Sequence, residues 1–281
     1  MKRGLIMEGG AMRGMFTCGV LDVFMENGVT FDGAAGISAG AVFGCNFKSH
    51  QNGRAIRYNK RYCADPRYCS FRSLAKTGNL YNVDFCYHEI PEKLDLFDNK
   101  TFAEDPMEFY VGATDIETGK IVYHKCTDGG ARDLLWMQAS ASLPLVSKPV
   151  EVDGYVLMDG GIVDPVPYAF MESIGYDRNV MILTQPKDYV KPKDRTVPLV
   201  RMTLKKYPMV AATVAVRHKI YADQMKEIAK REASGDALVI RPPESLKIGR
   251  TEKDPRELER VYQIGRREAK AALGKIKDFL N

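Results

Sequence analysis

The chain has 281 residues, 45% of them apolar and 27% charged, with no low-complexity tract and no internal repeat, which excludes a disordered or fibrous protein and supplies material for a large core. Its formal charge of +5 comes from 41 Lys and Arg against 36 Asp and Glu, too slight an excess to suggest nucleic-acid binding without a basic cluster, though compatible with weak attraction to an anionic membrane surface. The six cysteines form no CxxC pair, so reduced, mostly buried thiols are expected and no metal site is assigned.

The N-terminal run MKRGLIMEGG is too short in apolar residues for a signal-peptide core, and the longest charge-free stretch, 33–47, is glycine-rich and shorter than a membrane span. A cytoplasmic protein is expected, either free or peripheral at a membrane. Lys2 to Met7 suits a first strand and the glycine-rich EGGAMRG follows it. From Gly14, the apolar residues Phe16, Val20, Val23 and Phe24 recur at helical spacing until Asn27 and Gly28 stop the helix. Phe31 to Ala35 reads as a second strand, and Ala39 onward as a second helix. Strand, turn and helix, twice repeated, imply parallel strands joined by crossovers, and the turns that follow the strands then gather along one sheet edge. The turn at 8–14 and the turn at Ser38 should therefore be neighbours.

Residues 50–108 are irregular and tyrosine-rich, suited to helices and loops that cover the sheet. Phe109–Ile116 and Lys120–His124 flank Glu117-Thr118-Gly119 as a hairpin or a pair of strands, and a helix spans Ala131–Ser142, ending before Pro144. Asp153-Gly154 reads as a plain hairpin turn before the strand Tyr155–Met158, which runs into Asp159-Gly160-Gly161. Further strands are expected at Val180–Thr184 and Ala237–Ile240, and a proline- and charge-rich loop or lid at 186–198. The apolar segment Tyr207–Val216, bounded by Lys205, Lys206, Arg217 and Lys219, is either an ordinary packed helix or a cover that responds to lipid. The last helix opens with Asp254 as N-cap and Pro255 at its first position, and carries one apolar stripe from Leu258 to Leu280. Two partitions fit: a core over 1–185 with a largely helical extension over 186–281, or one continuous domain.

The chemistry concentrates at three glycine-marked turns. In GISAG, Gly36 and Gly40 leave room for a sharp strand-to-helix bend from which Ser38 projects, as in a nucleophile elbow. In EGGAMRG, Gly9, Gly10 and Gly14 keep the backbone open, so that N–H groups near Gly10, Ala11 and Met12 face the same crevice; backbone donors of this kind stabilise the oxyanion of acyl transfer by roughly 3 kcal/mol each. Arg13 either adds positive charge or holds the loop. Four histidines (His50, His88, His124, His218) are candidate bases by type, but none follows a strand in a glycine-flanked loop, whereas Asp159 does.

Backbone donors, a serine and an aspartate in this order resemble the patatin-like phospholipase family, on the strength of EGGAMRG, GISAG, DGG at 159–161 and the intervening MQASASLPLVSKPVEVDGYVLMDGGIVDPVP. The resemblance implies an α/β fold, a three-layer sandwich on a mainly parallel sheet flanked by helices. It also implies a serine acyl hydrolase acting on lipid esters without a cofactor: Ser38 as nucleophile, Asp159 as base, residues 9–14 as oxyanion loop, and a lipid or other acyl ester as the partner. Glu8 and Ala11 stand where the family often has aspartate and a third glycine, and Asp164 precedes proline where asparagine is frequent; Ala11 is expected to narrow the oxyanion loop slightly. A transferase on the same scaffold, a lipid-binding protein with a vestigial site and a dinucleotide-binding module with Asp32 as ribose ligand are the rival readings.

Overall fold

The computed structural model describes all 281 residues. Eight strands form one sheet: β1 (Lys2–Met7), β2 (Gly33–Ile37), β3 (Glu108–Asp115), β4 (Lys120–Cys126), β5 (Val150–Val152), β6 (Tyr155–Asp159), β7 (Tyr176–Ile182) and β8 (Ala237–Ile240). Their order is β5-β6-β3-β2-β1-β7-β8, with β4 paired to β3 outside that path. The central pairings, β3 with β2, β2 with β1, β1 with β7 and β7 with β8, are parallel; β4, β5 and β6 add an antiparallel flank.

Ten α-helices accompany the sheet: α1 (Gly14–Glu26), α2 (Ala39–Lys48), α3 (Arg54–Tyr62), α4 (Phe71–Thr77), α5 (Asn99–Glu104), α6 (Ala131–Ser140), α7 (Tyr168–Ser173), α8 (Val197–Thr203), α9 (Pro208–Ser234) and α10 (Pro255–Leu280). Strand alternation divides the core into two faces. Leu5, Met7, Ala34, Val180 and Ile182 pack with α1, α2, α3, α6 and α10, while Ile6, Ala35, Met181 and Leu183 pack on the other face with Met171 of α7 and Ile228 of α9. The result is the three-layer α/β sandwich that the family resemblance implies, built on the parallel strands that the alternating pattern predicts. The tyrosine-rich stretch 50–108 folds into α3, α4, a wider π-type helix over Phe85–Leu94 and α5, and joins the first face.

Two strands differ from expectation. The second runs over 33–37, not 31–35, because the Asp32 carboxylate is bound by the Arg3 backbone N–H (2.7 Å) and guanidinium, which moves the ladder two residues onward and carries it directly into Ser38. The seventh begins at Tyr176, four residues early, in a polar stretch with no strand periodicity; the Tyr176 hydroxyl donates to Glu108 (2.6 Å) and fixes that end of the sheet.

The C-terminal helix is bound tightly to α1. A Cβ on Gly19 would lie 2.1 Å from the Tyr262 carbonyl oxygen and one on Gly265 would lie 2.0 Å from that of Phe16, so the two helices approach backbone to backbone where neither has a side chain. Tyr262 donates to the buried Asp22 carboxylate (2.8 Å), and Arg266 forks onto Glu26. Asp254 caps α10 by accepting from Arg256 N–H (2.8 Å).

Helix α9 absorbs the segment 207–216 as its first turns. Val210, Ala211 and Val214 are buried against Ile116, Met158, Ile162 and Val200, so one face of this stretch is ordinary core. No helix is long and apolar enough to cross a membrane. All six cysteines are unpaired.

Candidate active site

The register of one parallel strand and one antiparallel strand on β3 explains why Ser38 and Asp159 meet. On β3, Gly112 is the partner of Ile37, the last residue of β2, and the next residue, Ala113, is the partner of Asp159, the last residue of β6. The two strands therefore occupy the same lane beside β3, arriving from opposite ends, and their terminal residues face each other across the gap. Thr114 Oγ1 donates to the Asp159 carbonyl (2.8 Å) and Asp159 N–H donates to the Ser142 carbonyl (2.8 Å), holding the second end; Ser38 N–H donates to Ser140 Oγ (2.8 Å), which donates to the Gly112 carbonyl (2.6 Å), holding the first.

Ser38 sits at φ 54°, ψ −119°, a strained conformation for a residue with a Cβ, at the junction of β2 and α2. Its two glycine neighbours answer to two different contacts. A Cβ at position 36 would lie 2.5 Å from the Gly40 carbonyl oxygen, and one at position 40 would lie 2.4 Å from that of Met7, so the bend requires helix and strands to touch through bare backbone. Gly9 faces the serine itself, since a Cβ there would stand 3.0 Å from Ser38 Cβ.

The loop over residues 8–14 divides by what its amides do. Arg13 N–H donates to the Gly10 carbonyl, and Gly14 N–H to those of Ala11 and Met12, so these two are occupied. The amides of Gly9, Gly10, Ala11 and Met12 have no acceptor within the protein, and neither has that of Ala39 at the start of α2. Ala11 takes φ 48°, the left-handed region that glycine prefers, so an alanine at this place carries backbone strain. Glu8 is buried and accepts from Thr184 N–H and Oγ1, tying the loop to the end of β7.

Asp159 is 1% exposed. Its Oδ1 accepts from Gly161 N–H (2.8 Å), while Oδ2 is buried without a hydrogen-bond partner. Burial pushes the pKa of this carboxyl up; the positive charge of Arg217, the nearby Ser38 hydroxyl and the Gly161 amide oppose that rise. Ser38 is thus close enough to act on the carboxyl, but no hydrogen bond between them is closed. No histidine lines the cavities that meet at Ser38; His50 pairs with Asp105, His88 with Glu92 and His124 with Asp133.

Those two cavities differ in character. One, of ≈ 210 Å³, is largely apolar, built by Val42 and Phe43 of α2, Tyr87 and Ile90 of the π-type helix, and Leu134 and Met137 of α6. The other, of ≈ 60 Å³, is polar and bounded by Glu8, Arg13, Asp159, Lys191, Arg217 and Arg250. Lys191, Arg217 and Arg250 escaped the sequence reading. Arg217 alone had a signal: it occupies a core-facing position in the run Val210, Val214, Arg217, Tyr221, Ile228, where the other members are buried. Asp32, the ribose ligand of the dinucleotide reading, is instead bound to Arg3 at the opposite end of β2 from Ser38.

The chain belongs to the patatin-like phospholipase family, whose model matches residues 5–171; a second model, described as a domain of unknown function (DUF6363), matches residues 207–281. Among similar proteins, Lysophospholipase NTE1 of Coccidioides immitis is 28% identical over 183 residues, 62% of this chain and 11% of that one. The Escherichia coli protein titled "Uncharacterized protein YjjU" is 30% identical over 200 residues, 67% of this chain and 54% of that one. The chain thus spans about a tenth to about half the length of these relatives. The crystal structure of VipD from Legionella pneumophila is similar over 98% of this chain and 67% of its own, with a TM-score of 0.48 and 13% identity.

Proposed function

We propose that the protein is a serine acyl hydrolase for lipid esters, working through a Ser38–Asp159 dyad and an acyl-enzyme. Asp159 Oδ2 takes the Ser38 Oγ proton as Oγ bonds to the ester carbonyl carbon, and the oxygen that becomes negative is received by the free amides of residues 9–12. Collapse of the tetrahedral intermediate expels the alcohol, which leaves with the proton from Asp159. Water then gives a proton to Asp159 as its oxygen bonds to the acyl carbon; the acyl–Oγ bond breaks, the fatty acid leaves, and Asp159 returns its proton to Ser38 Oγ. The observation that carries this reading is the buried, unpartnered Oδ2 of Asp159 at the end of the strand lane that Ser38 closes.

The apolar cavity takes the acyl chain, and the match to proteins named lysophospholipases supports a lipid ester as substrate. Residues 1–185 and 186–281 act as one unit in this reading, since β8 extends the sheet and α10 shares its main core. The protein is taken to work in the cytoplasm and to meet lipid at a membrane surface through exposed Leu199 and Met202, which stand among Arg201, Lys205 and Lys206; nucleic acid is not a partner. A fluorophosphonate probe tests the chemistry: wild-type protein labels, and Ser38→Ala neither labels nor hydrolyses esters while its circular dichroism is unchanged. Labelling of the mutant at the wild-type rate would remove Ser38 from the mechanism.

A further inference from the structure

Four cations converge on the polar cavity beside Ser38: Arg13 from the loop after β1, Lys191 from the loop before α8, Arg217 from α9 and Arg250 from the loop before α10. None of them takes part in the ion pairs of the protein, and the Nε atoms of Arg13 and Arg217 are buried with no hydrogen-bond partner. The acidic side chains in the same cavity are already engaged: Glu8 holds Thr184, and Asp159 accepts from Gly161 and faces Ser38. Asp159 and Asp194 act on Arg217 and Glu8 acts on Lys191 without closing an ion pair, and Arg250 is exposed, so the cavity keeps an excess of positive charge with two buried guanidinium nitrogens unpartnered, an arrangement that suits an anion. Arg217 has its pKa drawn down by burial, and Lys191 is pulled to about 8 by burial and by the neighbouring Arg217 charge, with Arg13 and Arg250 adding to it and Glu8 opposing. Arg250 lines both cavities, together with Ala11, Ser38 and Leu143. A ligand with its ester at Ser38 and its chain in the apolar cavity would therefore put its head group among the cations.

We propose that the polar cavity is a head-group subsite for a phosphate monoester dianion, and that the substrate is a single-chain acyl ester carrying it, of the lysophosphatidic acid type. This rests on the hydrolase reading of Ser38. Three of the four cations come from beyond the family match at 5–171, and Arg217 and Arg250 lie in the region 207–281 that matches a domain of unknown function. That region thereby acquires a role: it supplies charge that sorts substrates, while the N-terminal part supplies the reacting groups. Guanidinium groups suit the task because their planar fork binds two phosphate oxygens at once.

The test compares kcat/KM on lysophosphatidic acid and on monoacylglycerol of the same chain. Wild-type protein should favour the phosphorylated ester by about tenfold or more, the scale of one charge-assisted contact. Lys191→Gln with Arg250→Gln should lower that ratio by about tenfold, and Lys191→Arg should preserve it. A wild-type ratio near one, or a ratio that the double variant leaves intact, overturns the subsite while Ser38-dependent turnover keeps the hydrolase reading. If neither ester is hydrolysed in a Ser38-dependent way the hydrolase reading fails, and calorimetry on Ser38→Ala protein then decides the subsite alone: tighter binding of lysophosphatidic acid than of monoacylglycerol supports it, and equal binding refutes it. Inorganic phosphate is the further arm; if it binds as tightly as the lipid, the site is for free phosphate and the substrate assignment is wrong.

Discussion

The two sides of Ser38 are built by different means. On one side, the turns at 8–14, 36–40 and 159–161 fix backbone atoms, and each contact is so close that glycine is required: Gly40 against Met7, Gly36 against Gly40, and Gly160 against the carbonyl of Gly112, from which a Cβ would be 2.3 Å. On the other, Lys191, Arg217 and Arg250 reach the cavity as long side chains from a loop, a helix and a second loop, spread over 60 residues of sequence. The proposed ester chemistry needs atoms placed to fractions of an ångström, which backbone provides and flexible side chains do not. Recognition of a charge tolerates more freedom, so the second side can be assembled from a distance.

The largest expected effect tests the backbone-fixed side. Asp159→Asn should reduce turnover by roughly 10²- to 10⁴-fold, the usual contribution of a positioned base. Replacing His50, His88, His124 and His218 singly by Gln should leave turnover within about threefold, since none lines the cavities at Ser38. A single histidine mutant as inactive as Asp159→Asn in a folded protein would replace the dyad by a triad.

The attachment of the C-terminal region is tested next. Gly265→Val places a side chain where a Cβ alone would stand 2.0 Å from the Phe16 carbonyl oxygen, and should lower stability by about 1–3 kcal/mol or more in urea unfolding. An unchanged midpoint would mean that α10 does not lie against α1 as described.

A smaller effect links the two sides through Arg217, whose positive charge holds the Asp159 pKa below where burial alone would put it. In the proposed dyad Asp159 must be ionised to accept a proton, so activity is expected to be lost as pH falls through its folded-state pKa. Arg217→Gln removes the opposing charge and should move the acid limb of kcat to higher pH. An acid limb that stays in place in an active, folded Arg217→Gln protein would separate the cation from the dyad. Above neutrality, the preference for a phosphorylated substrate should weaken as pH rises past about 8, where Lys191 loses its proton.

The smallest effect concerns Ala11, held at φ 48° in the loop of free amides. Ala11→Gly removes the penalty of a Cβ in the left-handed region and should raise stability by up to about 1 kcal/mol, read from the urea midpoint. A lower midpoint would show that the loop gains more from a restricted unfolded chain than it loses in strain.

The sandwich and the backbone side of the crevice are legible in the amino-acid sequence. Alternating strands and helices dictate parallel pairing, and turns that must bring backbone against backbone are marked by glycine wherever a Cβ would collide; hence Gly36, Ser38, Gly40 and Asp159 are legible one turn at a time. The start of β7 was not, because Tyr176 to Asn179 is held by a tyrosine hydroxyl on Glu108 rather than by an apolar pattern. Nor does sequence reveal that only Gly9 to Met12, and not Arg13 and Gly14, keep their amides free, since that depends on how the loop closes on itself. That β2 and β6 share one lane beside β3, which brings residues 38 and 159 face to face, and that Lys191, Arg217 and Arg250 meet there, follows from the packing of the whole fold. Long side chains that converge across the fold obey no local spacing rule, because their position is set by how α9 and the surrounding loops pack on the sheet rather than by any demand on their own backbone.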